Sequence, residues 1–304
     1  MRILVTGKEG QVDTALQVEG EALGYEILRI GLPEADLSRP DTLADLVIMA
    51  NPDVIISSAA YTAVDKAESE PALAQKINGD GPGELARLAA RLNIPILHVS
   101  TDYVFAGDKS EPYNESDVPA PTTVYGRTKL SGETQIAAAT DNHVIVRTAW
   151  VYSFYGHNFV KTMLRLGEAC NEVSVVNDQF GCPTYAPDLA KALLVIARQI
   201  VIDPDPTLRG IFHLTGTGET HWAGFAEAIF NGSARRGCKP VHVTPIPSSQ
   251  YPTKARRPVN SRLGGDKLDQ VYGLRLARWQ DSLDTCLDRL IVDNCKKTKR
   301  RTLL

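Results

Sequence analysis

Short β-branched runs alternating with helical stretches constrain this chain more than any other feature. Arg2–Thr6, Tyr25–Ile30, Pro52–Ser57, Pro95–Ser100 and His143–Thr148 read as strands. Between them Asp13–Leu23, Asp41–Ala50, Pro71–Leu92 and Thr123–Ala139 carry apolar residues at helical spacing, as Leu43, Leu46 and Val47 do. Strands apolar on both faces and separated by helices need a sheet covered on both sides. The pattern therefore predicts an α/β fold, a Rossmann-type doubly wound parallel sheet. The second half is less regular. Asn158–Ala169, Ala186–Ile202 and Trp222–Phe230 read as helices, and Glu172–Val176 and Gly210–Leu214 as strands. Pro245–Pro258, with four prolines, reads as an ordered loop.

Composition removes several classes of function. The 33 basic and 36 acidic residues give a formal charge of −3. No basic stripe suits nucleic acid. No apolar run reaches the roughly 18 residues that span a bilayer, so no membrane partner is expected. The chain opens directly on a strand, which predicts no signal peptide. The cysteines, Cys170, Cys182, Cys238, Cys286 and Cys295, are odd in number and show no C-x-x-C pair. They fit reduced thiols in a cytoplasmic protein. The six histidines, His98, His143, His157, His213, His221 and His242, show no ligand spacing. They read as structural or surface residues, and no metal is expected.

Two motifs carry chemistry. Gly7-Lys8-Glu9-Gly10-Gln11-Val12 lies between the first strand and the first helix. Gly7 permits the tight turn, and Gly10 lets a pyrophosphate approach the unpaired N–H groups of a helix N-terminus. The second motif is Tyr125-Gly126-Arg127-Thr128-Lys129, whose Tyr and Lys share a helix face. An ammonium beside the phenol is expected to lower the tyrosine pKa and make Tyr125 a general acid or base. Thr101, at the end of the Pro95–Ser100 strand, would bond a substrate carbonyl beside Tyr125. Strand ends form the ligand crevice of such sheets.

These stretches, with SSAAYTAVDKAESEP (57–71), STDYVFAG (100–107), RTAWVY (147–152), NDQFGCPT (177–184) and YPTKARRPVNSRL (251–263), resemble the extended short-chain dehydrogenase/reductase superfamily. Within it the chain is most similar to the dTDP-4-dehydrorhamnose reductase family. The resemblance implies NADPH as cofactor, with NADH as the alternative. It implies hydride transfer to carbon 4 of dTDP-4-dehydro-6-deoxy-L-mannose, giving dTDP-L-rhamnose for cell-surface polysaccharide. Gly7, Gly10, Gln11 and Val12 would contact the cofactor, as would Asp36, Leu37, Ala60, Tyr61, Thr62, Tyr125 and Lys129. Thr101, Tyr125 and Lys129 would be catalytic. Thr101, Asp102, Trp150, Asn158, Gln179 and Arg257 would touch the dTDP-sugar, with Trp150 packing on the deoxysugar and Asn158, Gln179 and Arg257 on the nucleotide part. The implied domains are a dinucleotide-binding domain, 1–152 with roughly 173–210, and a smaller, mostly C-terminal substrate-binding domain, roughly 153–172 and 211–295. Residues 296–304 would be a disordered basic tail. The molecule would be a monomer or homodimer.

Two departures from the family pattern bear on the cofactor. Gly31 stands where an acidic residue often binds the ribose 2′-hydroxyl, with Arg29 nearby, which favours NADPH. Asp13 replaces a third small residue, and its charge is expected to repel the pyrophosphate. Other readings remain open at this stage: another nucleotide-sugar 4-ketoreductase or epimerase, or a catalytically idle binding subunit. A dehydratase would need an acid pair after Thr101, where only Asp102 stands before Tyr103.

Overall fold

The central sheet positions everything else. The computed structural model describes residues 1–292, so the basic tail and Cys295 lie outside the described residues. Strands β1 (Arg2–Thr6), β2 (Glu26–Ile30), β3 (Val54–Ser57), β4 (Ile96–Thr101) and β5 (His143–Thr148) are joined by a sixth, Gly210–His213. Their spatial order is β2-β1-β3-β4-β5 followed by the Gly210–His213 strand, all parallel. The winding reverses between β1 and β3, which opens a crevice at their carboxyl ends.

Side chains alternate across this sheet with period two. Ile3, Val5, Val54, Ile56, Leu97, Val144 and Val146 share one core with the helices Gln11–Ala22 and Ala186–Ile202. Leu4, Ile55, Ile96 and Ile145 share the other with Leu43, Val47, Leu85, Ala89 and Ile136. The doubly wound parallel sheet expected from the apolar runs is therefore present. The run Pro71–Leu92 is helical throughout but contains one π turn, Lys76–Asp80, between Pro71–Gln75 and Gly81–Leu92.

A smaller core gathers Tyr152, Val160, Met163, Val175, Phe225, Ile229, Val243 and Trp279. It draws on stretches far apart in the sequence. Glu172–Val176 pairs with His242–Ile246 and not with the main sheet. Conversely, Gly210–His213 lies beside β5, and the helix Asp266–Tyr272 covers the same core through Leu268 and Tyr272. Pro245, expected in a loop, sits within the two-stranded pair with its ring exposed. A proline is tolerated there because an edge strand does not need its N–H. The helix starting at Trp222 runs on to Arg235. No described helix is long and apolar enough to cross a membrane.

One buried feature is polar. Ser57, His98, Ser100 and Arg147 lie on the same sheet face near the strand ends, at most 4% exposed. The helix Val124–Ala139 covers them with Lys129 and Glu133, one turn apart. Arg147 Nη2 donates to Glu133 Oε2 at 2.6 Å and its Nε to Oε1 at 3.0 Å. Ser100 Oγ donates to Glu133 Oε1 at 2.5 Å. Removing one partner of such a pair strands a buried charge, at a cost of about 3–5 kcal/mol. Glu133→Ala should therefore lower the melting temperature by about 10 °C. Glu133→Leu combined with Arg147→Met should recover much of the loss. Calorimetry of the three proteins checks this, and a double variant no better than Glu133→Ala would contradict it.

Candidate active site

The glycine loop fills the crevice between β1 and β3. Gly7 takes φ +112°, a conformation side chains rarely adopt, and its N–H donates to Ile30 O at 2.7 Å. Gly10 is the N-cap of the helix Gln11–Ala22. That helix start leaves N–H donors unpaired beside a cavity of about 620 Å³, as a pyrophosphate requires. An adjoining cleft of about 340 Å³ runs past Gly31, Leu32, Asp36, Leu37 and Ala60, with apolar walls suited to an adenine. Hydrogen bonds from Ser38 hold the Asp36 carboxyl below its usual pKa. The residues present fit a dinucleotide.

Asp13 does not behave as its sequence position suggests. It is buried beneath the loop, where its Oδ2 accepts from Gly10 N at 3.2 Å and lies 3.7 Å from Arg29 Nη1. Arg29 in turn donates to Lys8 O at 2.8 Å. Burial pushes the Asp13 carboxyl up, and the N–H bonds and Arg29 offset part of that. The pair braces the loop from below. Arg29 is accordingly committed there, and the cation beside Gly31 is Lys8, whose Cγ would lie 3.3 Å from a Cβ at position 31.

Tyr125 is placed by local chemistry. Thr123 caps its helix by accepting from Gly126 N at 3.0 Å, a contact that stabilises by about 1 kcal/mol. Gly126 then allows the helix to touch the turn after β4, since a Cβ there would meet Tyr103 O at 2.1 Å. This sets the Tyr125 phenol against the Thr101 hydroxyl. Thr101 also donates to Asp102 Oδ1 at 3.0 Å. Burial pushes the Asp102 carboxyl up to about 6, against hydrogen bonds from Ser261 and Thr101. Burial likewise pushes the Tyr125 phenol up, not down as the neighbouring lysine led us to expect. Lys129 is fully enclosed, and its Nζ donates to Val99 O at 2.7 Å and contacts His98 Nε2 at 3.0 Å. Desolvation lowers its pKa to about 8, with Glu133 opposing.

The larger cavity brings together Gly7, Gly10, Gln11, Val12, Ala60, Thr62, Thr101, Asp102, Tyr125, Lys129, Trp150, Asn158 and Arg257. Tyr61 is not among them. Its phenol donates to Glu70 at 2.6 Å and its ring packs with Ala67, Ala74 and Val124. Asn158, expected on the nucleotide, instead donates to Gln11 Oε1 at 2.9 Å and Ser153 O at 2.7 Å. With Gln11 Nε2 bonded to Val151 O, it ties the smaller core to the glycine loop. Gln179 lines a separate cavity of about 470 Å³ with Phe159, Met163, Val175 and Tyr251. Arg257 and Trp222 line both cavities, and so mark their junction. Arg257 is held by Asp65 Oδ2 at 2.9 Å. Trp150 takes φ +49° and stacks on Trp222 at 3.5 Å, so one of its faces is already covered.

Sequence reasoning missed Trp222, His98 and Asn78. Asn78, within the π turn, accepts from Tyr61 N at 2.7 Å and donates to Tyr61 O at 3.2 Å and Thr128 Oγ1 at 3.1 Å. It fixes the 60–62 loop against the Tyr125 helix. The π turn was the missed signal, since such turns recur at functional sites.

The match to known proteins covers nearly the whole chain. The family model described as RmlD substrate binding domain matches residues 1–292. A curated dTDP-4-dehydrorhamnose reductase of Sinorhizobium fredii is 50% identical, over 93% of this chain and 95% of its own. A crystal structure of a dTDP-4-dehydrorhamnose reductase ortholog from Clostridium acetobutylicum superposes with a TM-score of 0.89 at 37% identity, covering 95% of this chain and 99% of that one. The Bacillus anthracis dTDP-4-dehydrorhamnose reductase, solved in complex with NADP, gives 0.88 at 34% identity with the same coverage.

The brace under the loop reverses the sign expected for Asp13. Asp13→Gly should weaken NADPH binding by about 1–3 kcal/mol, the range for a charge-assisted bond, and lower the melting temperature. Fluorescence titration of both proteins decides it. Tighter binding by the variant would restore repulsion as the dominant effect.

Proposed function

The chain belongs to the dTDP-4-dehydrorhamnose reductase family, and from that membership we propose how its own residues carry out the reduction of the carbon-4 ketone of a dTDP-4-dehydro-6-deoxy sugar. The observation that carries the reading is a pair of neighbouring cavities that share Arg257 and Trp222 in their walls. One holds the glycine loop with Thr101, Tyr125 and Lys129, and the other is mainly apolar and is lined by Gln179. Arg257 and Trp222 stand between them, where a diphosphate would link sugar to base. The Arg257 fork suits phosphate oxygens.

NADPH, when bound, supplies the hydride. The protein supplies position and a proton. Thr101 orients the ketone oxygen, and Tyr125 delivers a proton to the alkoxide that forms there. A phenol kept protonated by burial is in the right state to donate. Lys129 holds a cation near the phenol and the cofactor ribose. The stacked Trp150 and Trp222 offer an aromatic wall to the deoxysugar. Displacement of water from the cavity by cofactor and substrate strengthens each of these interactions. We place the reaction in the cytoplasm and leave the molecule as a monomer or homodimer.

Incubation with dTDP-4-dehydrorhamnose, following NADPH absorbance, tests the reading. Tyr125→Phe should lower kcat by on the order of 10² or more while NADPH still binds. Near-normal turnover in that variant would remove Tyr125 as the donor. Cofactor choice gives a second test. Lys8 is paired with Glu34 and lies beside Gly31, where a ribose 2′-phosphate would sit. Lys8→Ala should raise the Kd for NADPH by about tenfold, through loss of a charged contact, and that for NADH hardly at all. Equal losses for the two cofactors would remove Lys8 from the 2′-phosphate.

A further inference from the structure

We propose that His98 is a positioning residue for Lys129, acting as the fixed acceptor that keeps the buried ammonium charged and aimed at the cofactor ribose and Tyr125. It deepens the reading of Lys129 given above and rests on it. Three observations meet here. Lys129 Nζ lies 3.0 Å from His98 Nε2 and 2.7 Å from Val99 O. His98 Nδ1 lies 3.0 Å from Ser57 Oγ. Both His98 and Lys129 are at most 2% exposed, so no water replaces these partners.

The chemistry fixes the tautomer. An ammonium group only donates, so Nε2 must present its lone pair. The ring proton then sits on Nδ1 and faces Ser57. A protonated ring would set two cations 3.0 Å apart in a buried site. Burial and Lys129 both push the His98 pKa well below the usual histidine value, so the ring stays neutral. Two of the three ammonium hydrogens are thereby taken by the β4 strand, and the third is left for the cavity. The charged and titratable groups around Lys129 are His98 and Asp102 from β4 and its end, Tyr125 and Glu133 from its own helix, and Arg147 from β5. Arg147 is already bonded to Glu133. His98 is therefore the neutral side-chain acceptor in the set, and its loss leaves the ammonium with Val99 O as its remaining hydrogen-bond partner on β4.

The test uses the full chain and two variants. His98→Leu removes the acceptor at similar volume, whereas His98→Gln keeps one near the position of Nε2. NADPH affinity and kcat/KM are measured against pH. Wild-type protein should lose both as pH rises through about 8, where Lys129 deprotonates. In His98→Leu that limb should move down by about one pH unit or more, with affinity approaching wild type on the acid side. His98→Gln should restore the limb. An unmoved limb in His98→Leu, or equal losses in both variants at every pH, would reduce His98 to packing and overturn the inference. If His98→Leu does not fold, Ser57→Ala replaces it. Removing the Ser57 hydroxyl, a partner of Nδ1 beside the Ser57 backbone, should move the limb the same way, by less, and an unmoved limb there counts equally against the proposal. Failure of the underlying reading looks different: the wild-type NADPH limb near 8 would be absent, or would survive in Lys129→Met.

Discussion

The buried contact between the helix Val124–Ala139 and the ends of β3, β4 and β5 sets the geometry of the whole site. Tyr125, Lys129 and Glu133 recur every fourth residue, and so lie on one face of that helix. Each meets a partner on the sheet: Thr101, His98 and Arg147 respectively. Two of these contacts involve charges taken out of water. Such contacts contribute little net stability when intact but cost much when broken. Their effect is register. Rotating the helix by one residue would leave Glu133 without Arg147 and Lys129 without an acceptor. The Tyr125 phenol is thus located by groups one and two turns away.

The same logic joins the two cores. Gln11 reaches from the glycine loop to Val151, Ser153 and Asn158, so the first turn of the cofactor helix is bonded to the smaller lobe. Asn158 also caps the helix that lines the Gln179 cavity, accepting from Lys161 N at 3.2 Å. A change in the glycine loop would therefore be felt directly in the smaller lobe, without passing through the hydrophobic core.

Most of the main sheet was legible because its physical signal is local. Val54–Ser57 is apolar on both faces, and only a doubly covered strand suits it. The smaller lobe was less legible because its pairings are not local. Nothing within Glu172–Val176 says that its partner lies at His242–Ile246, and Pro245 argues against a strand unless the edge is known. The Tyr125–Lys129 pair could be read from spacing, and the glycine loop from its place after β1. His98 could not, because a single histidine inside an apolar run looks the same whether it fills space or receives a hydrogen bond. Asp13 shows a related limit. Its charge is visible in the sequence, but its contacts with Arg29 and the Gly10 N–H are not.

The disagreement over Tyr125 shows which force prevails. A lysine four residues away should favour phenolate, and burial should favour phenol. Lys129 is turned toward Val99 O and His98, so its help to a phenolate is weak, while burial works against the charged form. Burial wins, and the proton stays on oxygen. That outcome suits reduction, in which the site must begin with a proton to give. An alkoxide is a stronger base than a phenolate, so it can take that proton even from a phenol with a raised pKa.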